Sequence, residues 1–188
     1  MKLQFFWFYT FIRYFFLFGF FPATAAVIEQ FIQKFQQKNE PLTLENFLEK
    51  TQKNFKQANQ VGFLSIFILL VLLIDLQITR VIIKNLYLEV LILTIIAVTL
   101  GTFLYLLPVI VRYDISLKNS FKQSFFLLLS NIKNTIAMLL GMTLALLLSV
   151  SIPVLIFVPV PLFLLSISWF AYLSMRKIEK ANQEIGKE

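Results

Sequence analysis

From Asn134 to Met175 the chain carries no charged residue, a run of 42 residues. As a single helix that run would be about 63 Å long, twice the roughly 30 Å hydrocarbon core of a bilayer. It must therefore turn back once. Pro153, Pro159 and Pro161 mark the place, because proline breaks helix interiors. The run reads as two membrane helices, near 133–152 and 155–174.

Three further apolar stretches are long enough to cross. Leu3 to Phe21 is interrupted only by Arg13, Val61 to Thr79 holds Asp75 near its end, and Leu86 to Leu107 holds Glu89 near its start. Hydrophobic residues make up 59% of the 188 and charged residues 14%. Soluble domains run near 45–50% and about 25%, so only a bilayer accepts this much apolar surface. The expected fold is an all-α, polytopic membrane helical bundle over residues 1–188. It has about five transmembrane helices (near 3–21, 61–79, 86–107, 133–152 and 155–174) and amphipathic helices in its cytoplasmic loops.

Charge sets the expected orientation. Residues 22–60, 108–132 and the tail 175–188, with Lys133, hold thirteen of the seventeen basic residues. The opposite side holds Lys2, Arg80 and Lys84. By the positive-inside rule the thirteen lie in the cytoplasm. That places the C-terminus inside and, with an odd number of crossings, the N-terminus outside. The formal charge of +7 does not point to nucleic acid, because the basic residues flank apolar segments.

The long loops carry helical patterns. Val27, Ile28, Phe31, Ile32 and Phe35 share one helical face, and so do Leu44, Phe47, Leu48, Phe55 and Ala58. Thr43 is placed to cap the second helix, with Glu45 in its first turn. A third amphipathic stretch lies near 116–130.

Chemistry is constrained by what is missing. There is no Cys and no His, which removes thiol chemistry, a His general base and the usual zinc or copper ligands. Nucleophile-elbow, Walker and Rossmann motifs are absent. Neither an enzyme nor a bound cofactor or metal is expected. Ala23-Thr24-Ala25 has the form of a signal-peptidase site, but cleavage there would leave five lysines of 22–60 on the wrong side. The segment reads as uncleaved, with Pro22 at the helix exit.

Two residue sets remain as candidates. Arg13, Asp75 and Glu89 are the charges inside the proposed spans, and a buried Arg should pair with one of the acids. The bland alternative is a structural pair, or side chains snorkelling to the interface. Phe47, Lys53, Phe55, Lys56, Arg112 and Asp114 form a candidate cytoplasmic docking surface. Its alternative is simple packing at the membrane interface.

Gly19-Phe20-Phe21-Pro22-Ala23-Thr24-Ala25-Ala26 carries a resemblance. With Trp7 upstream, and Lys53-Asn54-Phe55-Lys56, Ala58-Asn59, Asp75-Leu76, Pro108 and Arg112-Tyr113-Asp114 downstream, the chain resembles the YesL-like family. These are small bacterial integral membrane proteins filed as a domain of unknown function. The likeness makes Gly19, Pro22, Ala23, Thr24, Ala25 and Ala26 a family motif at the first helix exit. Asn39-Glu40-Pro41 stands where a Gly-Glu turn is common. Family members are encoded beside carbohydrate ABC importers. The resemblance thus implies a bacterial cell-membrane accessory or subunit of a sugar importer, whose partners are the lipid bilayer and the importer's membrane subunits. A small independent transporter or channel is the alternative. The charge count predicts that a C-terminal reporter active only in the cytoplasm will work on this chain. Activity only of a periplasmic reporter would reverse the orientation.

Overall fold

A computed structural model describes residues 2–38, 40–151 and 159–185. Seven helices account for nearly all of them: α1 (Lys2–Arg13), α2 (Leu17–Phe35), α3 (Leu44–Ile78), α4 (Leu86–Tyr113), α5 (Leu117–Ser130), α6 (Ile132–Ser151) and α7 (Pro159–Ile185). Among the described residues no strand occurs. Among the described residues three helices are long and apolar enough to cross a membrane: Leu44–Ile83, which adds a π-helical turn (Thr79–Ile83) to α3, Leu86–Tyr113 and Ile132–Ser149. The chain is thus a helical bundle of multi-pass membrane character, and the described residues support three such helices, not the expected count of five.

Two expected spans are not among these three helices: 155–174, of which 155–158 lie outside the described residues, and the first, 3–21. Residues 3–21 do not form one helix. The chain turns at Tyr14–Phe16, with Phe15 and Phe16 at φ 54° and 55°. The 12 residues of α1 rise only about 18 Å, too short for the hydrocarbon core. α1 then runs antiparallel to α2. Trp7 Nε1 donates to Thr24 Oγ1 at 3.2 Å, and the Trp7 ring meets Phe20 edge-on at 5.8 Å. It runs parallel to the start of α3, with Phe6 on Phe47 and Tyr14 on Phe55 at 5.8 and 5.0 Å. The start of α1 therefore lies at the same end of the molecule as the end of α2 and the start of α3. The expected outside N-terminus loses the crossing on which it rested.

Gly19 makes this hairpin possible. A Cβ there would stand 2.8 Å from the Phe11 carbonyl oxygen and 2.9 Å from Phe11 Cα. Those are backbone atoms that cannot move aside, so only glycine lets the two helices approach this closely. Pro22 lies inside α2 instead of ending it. Its ring removes the N–H that would reach Phe18 O. Asn59 Nδ2 of α3 donates to that oxygen at 3.1 Å and satisfies it. From Pro22 to Glu29 every residue is buried, because α1, α3, α4 and α7 all pack on α2. The apolar face Val27, Ile28 and Ile32 was expected at a membrane interface. It is instead the centre of the core.

α3 begins as expected: Thr43 Oγ1 accepts from Asn46 N at 3.3 Å, with Glu45 in the first turn. The amphipathic helix expected at 44–58 and the span at 61–79 are one continuous helix. Gly62 does not interrupt it, since the Phe21 ring lies over the place of its missing side chain. Lys84 at φ 54° reverses the chain. Asn85 Oδ1 then caps α4, accepting from Tyr87 N and Leu88 N. α4 returns along α3, where Ala25, Ala58, Val61, Leu106 and Ile110 share a buried cluster. The third amphipathic stretch is α5. α6 and α7 form a hairpin, with Asn134 Nδ2 donating to Ser174 Oγ at 2.9 Å. The expected turn at Pro153 lies outside the described residues, as do 152 and 155–158 of the two expected spans. Pro159 and Pro161 fall in the first turn of α7, where a missing N–H is tolerated.

Gly19→Leu should disrupt the α1–α2 seam and lower the detergent melting temperature, with a cost of about 1–3 kcal/mol from overpacking. Asn59→Leu should also destabilise, by stranding the Phe18 carbonyl, at about 1–3 kcal/mol. In a Pro22→Ala background the restored N–H serves that carbonyl, so Asn59→Leu should cost less. Equal cost in both backgrounds would show that Asn59 does not act through Pro22.

Candidate functional site

The polar side chains of α2, α3, α4 and α7 converge at the end of the bundle where α2 ends and α3 begins. α2 supplies Glu29, Gln30 and Gln33, and α3 supplies Lys50, Lys53 and Asn54. The spacing of three and four residues puts each set on one face, so the two helices meet as complementary polar stripes. Between them lies a cleft of about 450 Å³, lined by Glu29, Gln33, Glu40, Asn46, Glu49, Lys50 and Lys53. A smaller cleft of about 220 Å³ shares Glu29, Gln33 and Lys53 and reaches Lys38 and Arg112.

Lys50 is buried, its side chain 8% exposed. Its ammonium has three donors and three acceptors. Gln30 Oε1 lies at 2.7 Å and Glu40 Oε2 at 2.8 Å, and Gln33 Oε1 takes the third. The hydrogen bond from Lys50 is the main reason the Glu40 carboxyl sits below its ordinary pKa. Glu29 is buried too. Its Oε2 accepts from Asn54 Nδ2 at 2.7 Å, and Lys53 Nζ stands 3.9 Å from Oε1. Burial pushes its pKa up, and Lys53, Asn54 and Lys50 offset only part of that.

Beside these, Arg112 of α4 clamps Glu179 of α7 in a two-pronged bond. Nε donates to Oε1 at 2.8 Å and Nη2 to Oε2 at 2.6 Å. Tyr113 donates its hydroxyl to Glu179 Oε1 at 2.7 Å, and the guanidinium lies 5.1 Å from the centre of the Tyr172 ring. Burial alone would raise the Glu179 pKa, but the bonds from Arg112 and Tyr113 outweigh it and hold the carboxyl below its ordinary value. Bidentate Arg–carboxylate geometry gives direction as well as energy. Here it fixes the far part of α7 against the end of α4.

The expected docking residues divide. Phe47 is not at the surface at all; it is fully buried under Phe6. Phe55 packs on Tyr14. Lys53, Lys56 and Asp114 are exposed. Arg112 is half-buried and engaged with Glu179. Asp114, at φ 45°, is the residue that ends α4. Gly19, Pro22, Ala23, Thr24, Ala25 and Ala26 are all buried in the α1–α2–α3–α4 packing. Their role is close packing, and the motif contains no free ligand group.

The expected membrane ion pair does not form. Glu89 bonds to Arg80, with Nη2 at 2.6 Å from Oε1. Arg13 lies at the hairpin turn, its Nη1 3.5 Å from the Tyr9 hydroxyl and its guanidinium about 6.0 Å from the Tyr9 and Tyr14 ring centres. Tyr14 packs on Phe55, and Asp75 lies twenty residues further along α3, about 30 Å of helix rise. The reason is the turn at 14–16, which stops α1 short of the depth that the pairing assumed.

Glu29 and Glu179 were not singled out in the sequence, and Asn54 and Tyr113 stood there only within stretches that carry the resemblance. One signal was available: Glu29 is the only acid in the first 39 residues, and it lies within an apolar helical pattern. As chemistry, the arrangement is a set of ions paired with their neighbours, with Arg112 Nη1 left without a hydrogen-bond partner and exposed Lys38, Lys53, Lys56 and Glu49 nearby. Among the described residues no group of three or more Asp and Glu is placed to hold a metal ion. The geometry is that of a rigid charged face.

Two mutational tests follow from these bonds. A carboxyl whose folded pKa is raised favours the folded state most below its unfolded pKa, and loses that advantage as pH rises through the raised value. Ionised Glu29 thus costs stability at neutral pH. Glu29→Gln, which keeps an acceptor for Asn54, should melt higher than the parent at pH 7. The gain should shrink as the pH falls toward the ordinary carboxyl value. A lower melting temperature at pH 7 would refute this. Arg112→Met and Glu179→Met should each cost about 1–2 kcal/mol after discounting for partial exposure, and the double change less than their sum. Strict additivity in thermal melts would mean that the pair contributes nothing as a pair.

Residues 1–76, less than half of the chain, match the model of a family described as "Protein of unknown function, DUF624". The match covers α1, α2 and α3 as far as Leu76, and with them the α1–α2 hairpin and the α2–α3 cleft. No curated protein and no solved structure matches the chain. Over its first 76 residues the chain is similar to a family whose function is not described.

Proposed function

We propose that this protein is a non-catalytic membrane partner, an accessory or subunit of a carbohydrate ABC importer in a bacterial cell membrane. The carrying observation is the charged face at one end of the bundle. Buried ions lock it, and a rim of Lys38, Lys53, Lys56 and Glu49 is free to meet another protein. A face made of paired ions is suited to binding another protein. The sugar-importer assignment rests on the YesL-like resemblance, with which the match of residues 1–76 to a family of unknown function agrees. In this reading the charged end and the C-terminus lie in the cytoplasm. The charge count supports this, since Arg80 and Lys84 are the basic residues at the far end of the α3–α4 hairpin.

A small independent transporter or channel is the second reading. Against it stand the polar side chains of the apolar helices. Thr94 and Thr102 of α4, with Thr143 and Ser149 of α6, spend their hydroxyls on their own helix, bonding to Val90 O, Val98 O, Leu139 O and Ala145 O at 2.8–3.0 Å. Groups bonded in this way do not line a polar path.

Tagged protein purified in mild detergent should bring importer membrane subunits with it, and Lys56→Glu should weaken that association at unchanged melting temperature. Deletion of the chain should slow sugar uptake. Protein that purifies alone while neighbouring importers stay intact, with uptake unchanged on deletion, would dismiss the partner reading. Solute flux through the purified chain alone in liposomes would favour the second.

A further inference from the structure

The α1–α2 hairpin ends in a tip that exposes Phe15, Phe16, Leu17 and Phe18 at 84, 58, 63 and 51%. Phe15 and Phe16 both adopt left-handed backbone, at φ 54° and 55°. That conformation is easy for glycine or asparagine and costly for a bulky residue. Phe16 meets the Phe11 ring edge-on at 5.0 Å, but both phenylalanines stay mostly exposed, so little of their surface is used inside the chain. Such strain at an exposed apolar tip points to an external requirement for the side chains.

The position of the tip along α3 identifies what covers it. Asn59 bonds to Phe18 O, and Phe18 and Phe21 both pack on Phe63 at 5.7 Å. This is where the exposed surface of α3 changes. Lys53, Lys56 and Gln60 are its last exposed polar residues before Leu64, Ile66 and Phe67. From Val61 to Ile83 the helix rises about 33 Å, one hydrocarbon thickness. The tip therefore stands level with the entry of the span into the bilayer, beside it. Arg13, with Tyr9 and Tyr14, is at the same level, a combination of cation and amphipathic rings that suits the headgroup region.

We propose that the hairpin is an interfacial anchor: its tip enters the headgroup and upper acyl region of the near leaflet, and both ends of the hairpin stay on the charged side of the membrane. The ligand of the Phe15–Phe18 tip is the lipid leaflet itself. Arg112 holds Glu179 of α7 at that same charged end, so the start of α1 shares a side with the far part of α7. The inference needs no importer and stands apart from the partner reading.

The chain has no cysteine, so single-cysteine labelling of the full-length protein tests it directly. Phe16→Cys and Leu17→Cys, each carrying an environment-sensitive fluorophore, would be compared with Lys56→Cys in vesicles of phosphatidylcholine and phosphatidylglycerol at three to one. The two tip probes should emit to the blue of the Lys56 probe. They should be quenched several-fold more by spin-labelled lipids bearing the label near the headgroup than by labels near the chain end. Water-like emission, stronger quenching from the chain end, or blue emission with no lipid quenching (a protein cover) would each overturn the anchor. In intact cells Lys2→Cys and Lys180→Cys should be equally protected from, or equally open to, an impermeant thiol reagent. Labelling of one without the other would place the termini on opposite sides and end the proposal.

Discussion

The close approach of α1 to α2 at Gly19 is the constraint on which the other contacts depend. It lets Trp7 reach Thr24 and closes the fourth side of a helix already packed on α3, α4 and α7. A helix surrounded in this way needs small side chains wherever a neighbour's backbone comes near. The run Pro22-Ala23-Thr24-Ala25-Ala26 supplies them. Small-residue seams are a usual means of helix packing in membrane proteins, where burial of apolar surface against lipid gives little driving force. The proline inside α2 is tolerated because Asn59 replaces the hydrogen bond it removes. The segment that looks most like a motif is therefore a packing device.

The same crowding accounts for the charged end. Once α2 is enclosed, Glu29 is enclosed with it, and a buried carboxylate needs partners. Asn54 and Lys53 come from α3. The facing Lys50 is satisfied in turn by Gln30, Gln33 and Glu40. Arg112 and Glu179 repeat the arrangement between α4 and α7. Each ion has a neighbour, so the end is rigid without a large apolar contribution. It presents rim lysines and Glu49 for contact with other molecules.

The helical class, the caps at Thr43 and Asn85, the α5 stretch and the apolar faces of α2 and early α3 follow local rules, and the sequence displays them. What it concealed was non-local. The turn at Tyr14–Phe16 has no glycine, proline or asparagine to announce it, and an apolar run of nineteen residues conforms to the length rule for a span. Phe47 lies on a face whose apolar pattern is the same for an interfacial helix and a core helix. The partners of Arg112 and Lys50 lie sixty-seven residues and about ten to twenty residues away respectively. Periodicity reports which face is buried, but it does not report which neighbour buries it.

Arg13 shows how one local error travels. Placed at mid-membrane, an arginine costs about 2.5–3.5 kcal/mol and demands an acid. That demand is what suggested Asp75 or Glu89. With the chain reversed one residue after Arg13, the guanidinium sits beside two tyrosines at the level where α3 turns apolar. No desolvation has to be offset there, and Glu89 is left to hold Arg80 across the turn into α4. The pairing requirement thus came from an assumed depth. Once the depth changes, the same residue becomes compatible with water and headgroups on one side and rings on the other.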